Sequence, residues 1–120
     1  MSEISPKLLV VDDDPDFLDL LGGQLHREGV PFTTAESADE AWGILDSLTD
    51  LRVIVSDIKM PGMDGLEFLR RVKAKDQSIV VIMITGFNDR ADEVEELGAA
   101  GLHLKPFDFV DLIAEIKKYF

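Results

Sequence analysis

The chain has 120 residues and a formal net charge of −12, because 24 aspartates and glutamates outnumber 12 lysines and arginines. This length fits a single compact domain, and a 46% apolar fraction distinguishes the chain from disordered sequences of similar charge. So large an acidic excess argues against direct binding to nucleic acid or to anionic membranes, and the lack of cysteine excludes disulfides and thiolate chemistry.

Five strand–helix units are predicted in chain order from the apolar pattern. Each unit is a short apolar run followed by a longer stretch whose apolar residues recur at spacings of three and four. All runs except the second are continuously rich in Val, Ile, Leu and Met, as expected of parallel strands buried on both faces. The predicted strands are residues 7–11, 31–35, 53–56, 79–84 and 101–104. The predicted helices are residues 15–28, 38–48, 66–73, 90–97 and 109–119.

Local signals support the predicted helix ends. Ser37 opens a capping-box pattern before the second helix, and Asp14 precedes a proline at the first position of the first helix. Gly29 and Gly98 stand where helices are predicted to end. The alternation of strand and helix predicts an α/β fold, a three-layer doubly wound sandwich with helices on both faces of a mostly parallel sheet.

Carboxylates follow two of the predicted strands. Ligands of such folds bind beyond the carboxyl ends of the strands, where Asp12 and Asp13 follow the first run and Asp57 follows the third. Taken singly, each is an ordinary loop or capping carboxylate. If the first and third strands are adjacent, however, the three share one pocket. A divalent cation relieves the repulsion of crowded carboxylates, and ligands that are all oxygens favour Mg²⁺.

A hydroxyl and an ammonium follow the fourth and fifth runs. Thr85 before a glycine turn and Lys105 on a loop each have a plain structural explanation when taken alone. Together with the carboxylates, they supply the positioning and charge that phosphoryl transfer requires. Asp57 is then the candidate carboxylate nucleophile, which would form an aspartyl phosphate. The bond between Lys105 and Pro106 is a good site for a cis peptide, although trans is the default.

Four motifs resemble the receiver domain of two-component response regulators over essentially the whole chain. They are LLVVDDDP at 8–15, VSDIKMPGMDG at 55–65, ITG at 84–86 and LKPF at 104–107. The resemblance implies a flavodoxin-like fold with five helices and a five-stranded parallel sheet of order 2-1-3-4-5, whose site lies between strands one and three. It also implies a signalling switch that accepts a phosphoryl group from a histidine kinase or a histidine phosphotransfer protein.

The resemblance also implies the chemical roles of the site residues. Asp57 would be the phosphoacceptor, and Mg²⁺ would be bound directly by Asp13 and Asp57, through water by Asp12, and by the backbone carbonyl of Lys59. Lys105 would pair with a phosphoryl oxygen. Pro61, Gly62 and Gly65 would shape the loop that follows the phosphoacceptor.

The resemblance further implies how the signal leaves the site. Thr85 would be the switch hydroxyl that moves onto the phosphoryl group and shifts the loop at 86–89. Partners would read the face formed by the fourth helix, the fifth strand and the fifth helix, including Val94, His103 and the region near Lys117.

Two features depart from the family pattern. Leu102 stands where receivers usually place an aromatic partner of the switch hydroxyl, and His103 is predicted to point to the opposite side of the strand. Lys59 and Phe87, two positions beyond Asp57 and Thr85, are larger than the side chains common there. They predict shielding of the phosphoaspartate and slow self-dephosphorylation.

The chain is thus expected to form one receiver domain over 1–120, without an effector domain, and to catalyse only its own phosphorylation and dephosphorylation. Its longest apolar run, 79–84, is too short to span a membrane, and a cytoplasmic location is expected. Two alternatives are a constitutive protein-interaction module and a Mg²⁺-dependent phosphohydrolase. Intact Asp13, Asp57, Thr85 and Lys105 argue against the first. Lys59 argues against the second, because it stands where such hydrolases carry a second acid.

Overall fold

Strands and helices alternate along the chain in the computed structural model, which describes residues 5–86 and 90–120. A short 3-10 helix, Leu45–Ser47, follows the second helix. The strands are β1 (Leu8–Val11), β2 (Phe32–Ala35), β3 (Val53–Asp57), β4 (Val80–Thr85) and β5 (Gly101–Leu104). The helices are α1 (Pro15–Arg27), α2 (Ala38–Ile44), α3 (Gly65–Lys75), α4 (Ala91–Glu96) and α5 (Phe109–Lys117).

The five strands form one parallel sheet of order β2-β1-β3-β4-β5, which confirms the predicted fold. Val11 at the end of β1 lies opposite Ser56 in β3, and Asp57 lies opposite Ile84 in β4. The carboxyl ends of these three central strands are therefore level. Strand order reverses between β1 and β3, and the loops that diverge there leave a crevice at this edge.

The helices cover both faces of the sheet, so the central strands bury successive side chains on opposite sides. Alternate strand residues such as Leu9, Ile54 and Met83 pack in a cluster with residues of α2, α3 and α4. Their neighbours, among them Val10 and Ile84, pack in a second cluster with residues of α1 and α5. These two clusters explain the continuous apolar runs, because both faces of each central strand are buried.

The predicted element boundaries hold within one or two residues, except at the end of α2. That helix ends at Ile44 rather than at residue 48, and the chain continues as a 3-10 turn. The Ser47 hydroxyl donates to the Ile44 carbonyl at 2.6 Å, and the Leu48 N–H donates to the Leu45 carbonyl at 3.1 Å. These bonds between residues three apart tighten the last turn.

The predicted helix caps are confirmed. The side chains of Asp14 and Ser37 accept hydrogen bonds from backbone N–H groups of the first turns of α1 and α2. Gly29 and Gly98 follow α1 and α4 with φ of 71° and 94°, in the left-handed region that glycine adopts without steric cost. Within the described part of the chain, none of the helices has the length and apolar character needed to cross a bilayer.

Candidate functional site

Three carboxylates meet beyond the ends of β1 and β3. Asp12 and Asp13 follow β1, and Asp57 is the last residue of β3. One oxygen of each carboxylate lies within 4.8 Å of one from each of the others. Asp12 is fully buried and Asp57 is 8% exposed, whereas Asp13 lies at the exposed mouth of the cluster. The sheet topology thus brings together the three acidic residues predicted to share one pocket.

Hydrogen bonds occupy both oxygens of Asp12. Its Oδ1 accepts from the Asp14 N–H at 2.9 Å, and its Oδ2 accepts from the Lys105 ammonium at 2.9 Å. Asp12 is also fully buried, whereas the exposed carboxylate of Asp13 is accessible to a cation from solvent. The geometry supports the implied difference between these two neighbouring acids.

The Asp57 carboxylate is held by one backbone donor and one cation. Its Oδ1 accepts from the Ile58 N–H at 2.7 Å, and its Oδ2 accepts from the Lys105 ammonium at 3.3 Å. Burial raises the pKa of Asp57 above its usual value, and the negative charge of Asp12 raises it further, while Lys105 opposes both effects. Burial and the neighbouring Asp12 therefore outweigh Lys105, and the charged form of Asp57 is disfavoured relative to a solvated aspartate.

Lys105 reaches this cluster from the loop after β5. Its backbone N–H donates to the Thr85 carbonyl at 2.7 Å, and its bond to Pro106 is cis. Burial opposes the charge of the ammonium, but the hydrogen bond to Asp12 and the negative charges of Asp57 and Asp12 outweigh burial and raise the pKa of Lys105. The lysine is therefore a fixed positive charge between two of the three carboxylates.

Thr85, the last residue of β4, reaches the same edge and is 2% exposed. It follows Ile84, which pairs with Asp57 across the sheet. Lys59 is exposed two residues after Asp57. Phe87, predicted to shield the phosphoaspartate, lies outside the described residues, as do positions 88 and 89 of the loop predicted to move.

The face formed by α4, β5 and α5 differs in one respect from the expectation. Val94 is 2% exposed and belongs to the core, so its expected place on a surface read by partners is wrong. Leu102 packs against the cluster that contains Val94. His103 is on the other face of β5, where its Nε2 lies 2.5 Å from Glu115 Oε1. The predicted opposite orientation of Leu102 and His103 is confirmed.

The donor set fits Mg²⁺. The three converging side chains offer only carboxylate oxygens, which are the ligands that hard divalent cations prefer. Three carboxylates converge here, and one lysine contacts two of them. A divalent cation would relieve the repulsion among these carboxylates.

The structure adds two features of the site: a cation contact by Phe17, which was not predicted as a site residue, and the close backbone approach of Gly65, which was expected only to shape the loop after Asp57. The Phe17 ring in the first turn of α1 has its centroid 4.7 Å from the Lys105 ammonium. Gly65 at the start of α3 donates its N–H to the Ile58 carbonyl at 2.7 Å, directly beside the backbone of Asp57. One signal in the sequence could have identified Phe17. It lies three residues after the capping Asp14, in the first turn of the helix that begins just beyond the end of β1.

A carboxylate cluster, a buried threonine and a lysine at the switch point of a 2-1-3-4-5 sheet define a receiver-type site. The chain belongs to the response regulator receiver domain family, whose model matches residues 8–117. It is therefore a receiver domain of the two-component response regulators, which are phosphorylation-dependent signalling switches.

Individual relatives agree with this family. The chain is 37% identical over 120 residues to sporulation initiation phosphotransferase F of Bacillus subtilis, covering 97% of this chain and 94% of that protein. It is 37% identical over 114 residues to the transcriptional regulatory protein FixJ of Bradyrhizobium diazoefficiens, covering 92% of this chain but 54% of FixJ. The chain thus spans about half the length of that regulator.

Solved structures show the same fold. The Thermotoga maritima response regulator TrrA, crystallised in complex with Mg²⁺ and BeF, superposes with a TM-score of 0.86 at 30% identity, covering 96% of this chain and 99% of TrrA. A response regulator receiver protein from Pseudomonas putida superposes with a TM-score of 0.89 at 28% identity, covering 98% of this chain and 99% of that one.

Proposed function

We propose that this receiver domain accepts a phosphoryl group from a phosphohistidine onto Asp57. The observation that carries the proposal is the convergence of the Asp57 carboxylate, the Lys105 ammonium and the two neighbouring carboxylates at one sheet edge. An oxygen of Asp57 attacks phosphorus and forms a new P–O bond. The P–N bond to the donor histidine breaks, and its electron pair leaves with the imidazole.

The remaining groups position and stabilise the transferring phosphoryl group. The Lys105 ammonium, already at the Asp57 carboxylate, offsets negative charge on a phosphoryl oxygen, and the Thr85 hydroxyl donates to another. The Ile58 N–H fixes the rotamer of the nucleophile through its bond to Oδ1. When bound, Mg²⁺ supplies additional positive charge against the phosphoryl oxygens.

The proposed metal ligands are Asp13 and Asp57 directly, Asp12 through water, and the backbone carbonyl of Lys59. The exposure of Asp13 and the complete burial of Asp12 support this division. The side chain of Lys59 is exposed two residues after the phosphoacceptor. We propose that it shields the phosphoaspartate and slows self-dephosphorylation.

Asp13→Asn is expected to weaken Mg²⁺ binding by more than about 100-fold, and Asp12→Asn by about tenfold, since residues acting through an outer shell commonly contribute that smaller factor. Titration calorimetry with MgCl₂ measures both affinities. The exposed Asp16→Asn is the matched control and should bind Mg²⁺ like the wild type. Equal losses for Asp12→Asn and Asp13→Asn would contradict the division between them.

The proposed test of the function is uptake of one phosphate from acetyl phosphate in the presence of Mg²⁺, followed by intact mass. Chelation of Mg²⁺ with EDTA should prevent the adduct. A purified histidine kinase or histidine phosphotransfer protein should then transfer phosphate faster than the small donor does. Failure of the wild type to form any adduct with Mg²⁺ present would refute the proposal.

We further propose that phosphorylation acts on partners through Thr85, the loop that follows it, and the face formed by α4, β5 and α5. His103 of β5 contacts Glu115 of α5 on this face at 2.5 Å, whereas Lys117, at the end of α5, contacts Glu28 beside α1 at 2.5 Å. The domain would catalyse only its own phosphorylation and dephosphorylation, in the cytoplasm, and would pass its signal to an effector domain or a downstream protein.

Thr85→Ala is expected to reduce the conformational response more than Leu102→Ala does, because Leu102 supplies packing but no hydrogen bond. Backbone amide shifts on addition of beryllofluoride and Mg²⁺ measure the response. Wild-type shifts should extend from Thr85 through β5. Shifts confined to the loop after Asp57, or a larger loss in Leu102→Ala, would contradict this route.

A further inference from the structure

The ammonium of Lys105 lies at a junction of three groups. Two are the carboxylates of Asp12 and Asp57, which accept hydrogen bonds from it. The third is the ring of Phe17, whose centroid is 4.7 Å from Nζ. This distance is within the range in which the negative face of an aromatic ring attracts a cation. The half-buried ring also covers part of the lysine, whose side chain is 28% exposed.

The Phe17 ring is itself held by two other aromatic side chains. Phe107 and Phe109 make edge-to-face contacts with it, at centroid distances of 6.0 Å and 5.8 Å and interplanar angles of 78° and 82°. Phe107 follows Lys105 by two residues on the same loop. The ring is therefore supported separately by Phe107 from the loop before α5 and by Phe109 from the start of α5, so the Phe107 contact and the contact with Lys105 remain if Phe109 is replaced.

We propose that Phe17 is a positioning residue for phosphoryl transfer, whose ring face holds the Lys105 ammonium over the site. This inference rests on the proposed function of Asp57 and Lys105. A carboxylate that holds a lysine competes with a phosphoryl oxygen for its N–H donors. A ring attracts the charge without consuming a strongly directed donor, so the ammonium stays in place while its N–H groups remain available to oxygens.

The contact itself can be observed by NMR without phosphorylation. Protons above an aromatic face are shielded, so the Lys105 ε-methylene protons should resonate upfield of those of the other lysines. Loss of this signal in Lys105→Arg assigns it. The shift should disappear in Phe17→Leu and persist in Phe17→Tyr and Phe109→Leu. An unshifted Lys105 signal in the wild type would overturn the proposal without use of any variant.

The effect on transfer is measured as the rate of adduct formation from acetyl phosphate with saturating Mg²⁺. Phe17→Leu should be about three- to tenfold slower than the wild type, and Phe17→Tyr within about twofold of it. Phe109→Leu is the matched control, because it removes an aromatic contact from the same cluster but leaves the contact between Phe17 and Lys105. It should react like the wild type.

The outcomes separate this inference from the proposed function. If the wild type takes up phosphate but Phe17→Leu and Phe109→Leu are slowed equally, the effect comes from packing. The proposed role of Phe17 is then overturned, and the proposed function of Asp57 stands. Absence of uptake by the wild type would overturn both. If Phe17→Leu does not fold, the wild-type NMR signal and the rate of Phe17→Tyr still decide the question.

Discussion

Asp57→Asn is expected to abolish phosphate uptake from acetyl phosphate, because the amide that replaces the carboxylate is a far weaker nucleophile at phosphorus. The substitution preserves the size of the side chain and an oxygen that can accept from the Ile58 N–H. Loss of uptake would therefore report lost chemistry rather than lost shape. Intact mass after incubation with acetyl phosphate and Mg²⁺ measures the adduct.

The exposed Asp50→Asn is the matched control and should take up one phosphate like the wild type. Both proteins should give the same circular dichroism spectrum. An adduct on Asp57→Asn at the wild-type rate would place the phosphate on another residue. The assignment of Asp57 would then be wrong, whatever the fold of the variant.

The same variant should unfold at a higher temperature than the wild type when metal is absent. Burial and the negative charge of Asp12 raise the pKa of Asp57 above its usual 3.8, so the folded state binds the proton more tightly than the unfolded state does. Stability is then lost as pH rises through the window between these two pKa values, and the loss is complete above it. The neutral Asn avoids this loss.

At pH 7 in EDTA, Asp57→Asn should gain roughly 1 kcal/mol, or about 4 °C in Tm for a domain of this size. The gain should shrink as pH falls toward 3.8, the usual pKa of this side chain, because the wild-type carboxyl becomes protonated there. Thermal unfolding at a series of pH values tests this. A variant less stable than the wild type at pH 7 would show that the hydrogen bond from Lys105 outweighs burial and repulsion.

Much of the fold follows from one property of the sequence, the continuous apolar runs. They require the central strands to bury successive residues on both faces of the sheet. Val10 faces α1 and α5 while Val11 faces α2, so neither position tolerates a polar side chain. The edge strand β2 has a neighbour on only one side, and its Thr33 and Thr34 are accordingly half-buried. Hydropathy alone leaves the strand order open, and the predicted order came from the family resemblance, which the sheet confirms.

The site is predictable only in part, because the sheet edge can be inferred from the strand pattern but the contacts of side chains from distant parts of the chain cannot. Asp12, Asp13 and Asp57 could be found because parallel strands end at a common edge. The hydrogen bond from Lys105 to Asp12 joins residues 93 positions apart and depends on a long side chain's conformation, which no local pattern specifies. Phe17 has the spacing of a core residue, and only the loop after β5 brings a cation onto its ring.

Gly65→Ala is expected to destabilise the fold and to slow phosphorylation, through the backbone that carries Asp57. A Cβ at Gly65 would collide with the Asp57 carbonyl oxygen and approach the Ile58 Cα to 2.7 Å. These are backbone atoms at the end of a central strand, so no side-chain rotation relieves the overlap. The required movement would also strain the 2.7 Å hydrogen bond from the Gly65 N–H to the Ile58 carbonyl.

We expect Gly65→Ala to lower the free energy of unfolding by about 2–3 kcal/mol, and Tm by about 10 °C, in the range of overpacking substitutions. Uptake from acetyl phosphate should fall by more than about tenfold, since a shift of 1 Å at a nucleophile commonly slows transfer by about 100-fold. Gly43→Ala in α2 is the matched control, because its Cβ meets nothing within 4 Å. Alanine is the better helix former, so that variant should be at least as stable as the wild type. Equal stability and uptake in both variants would show that the chain can displace α3 without moving Asp57.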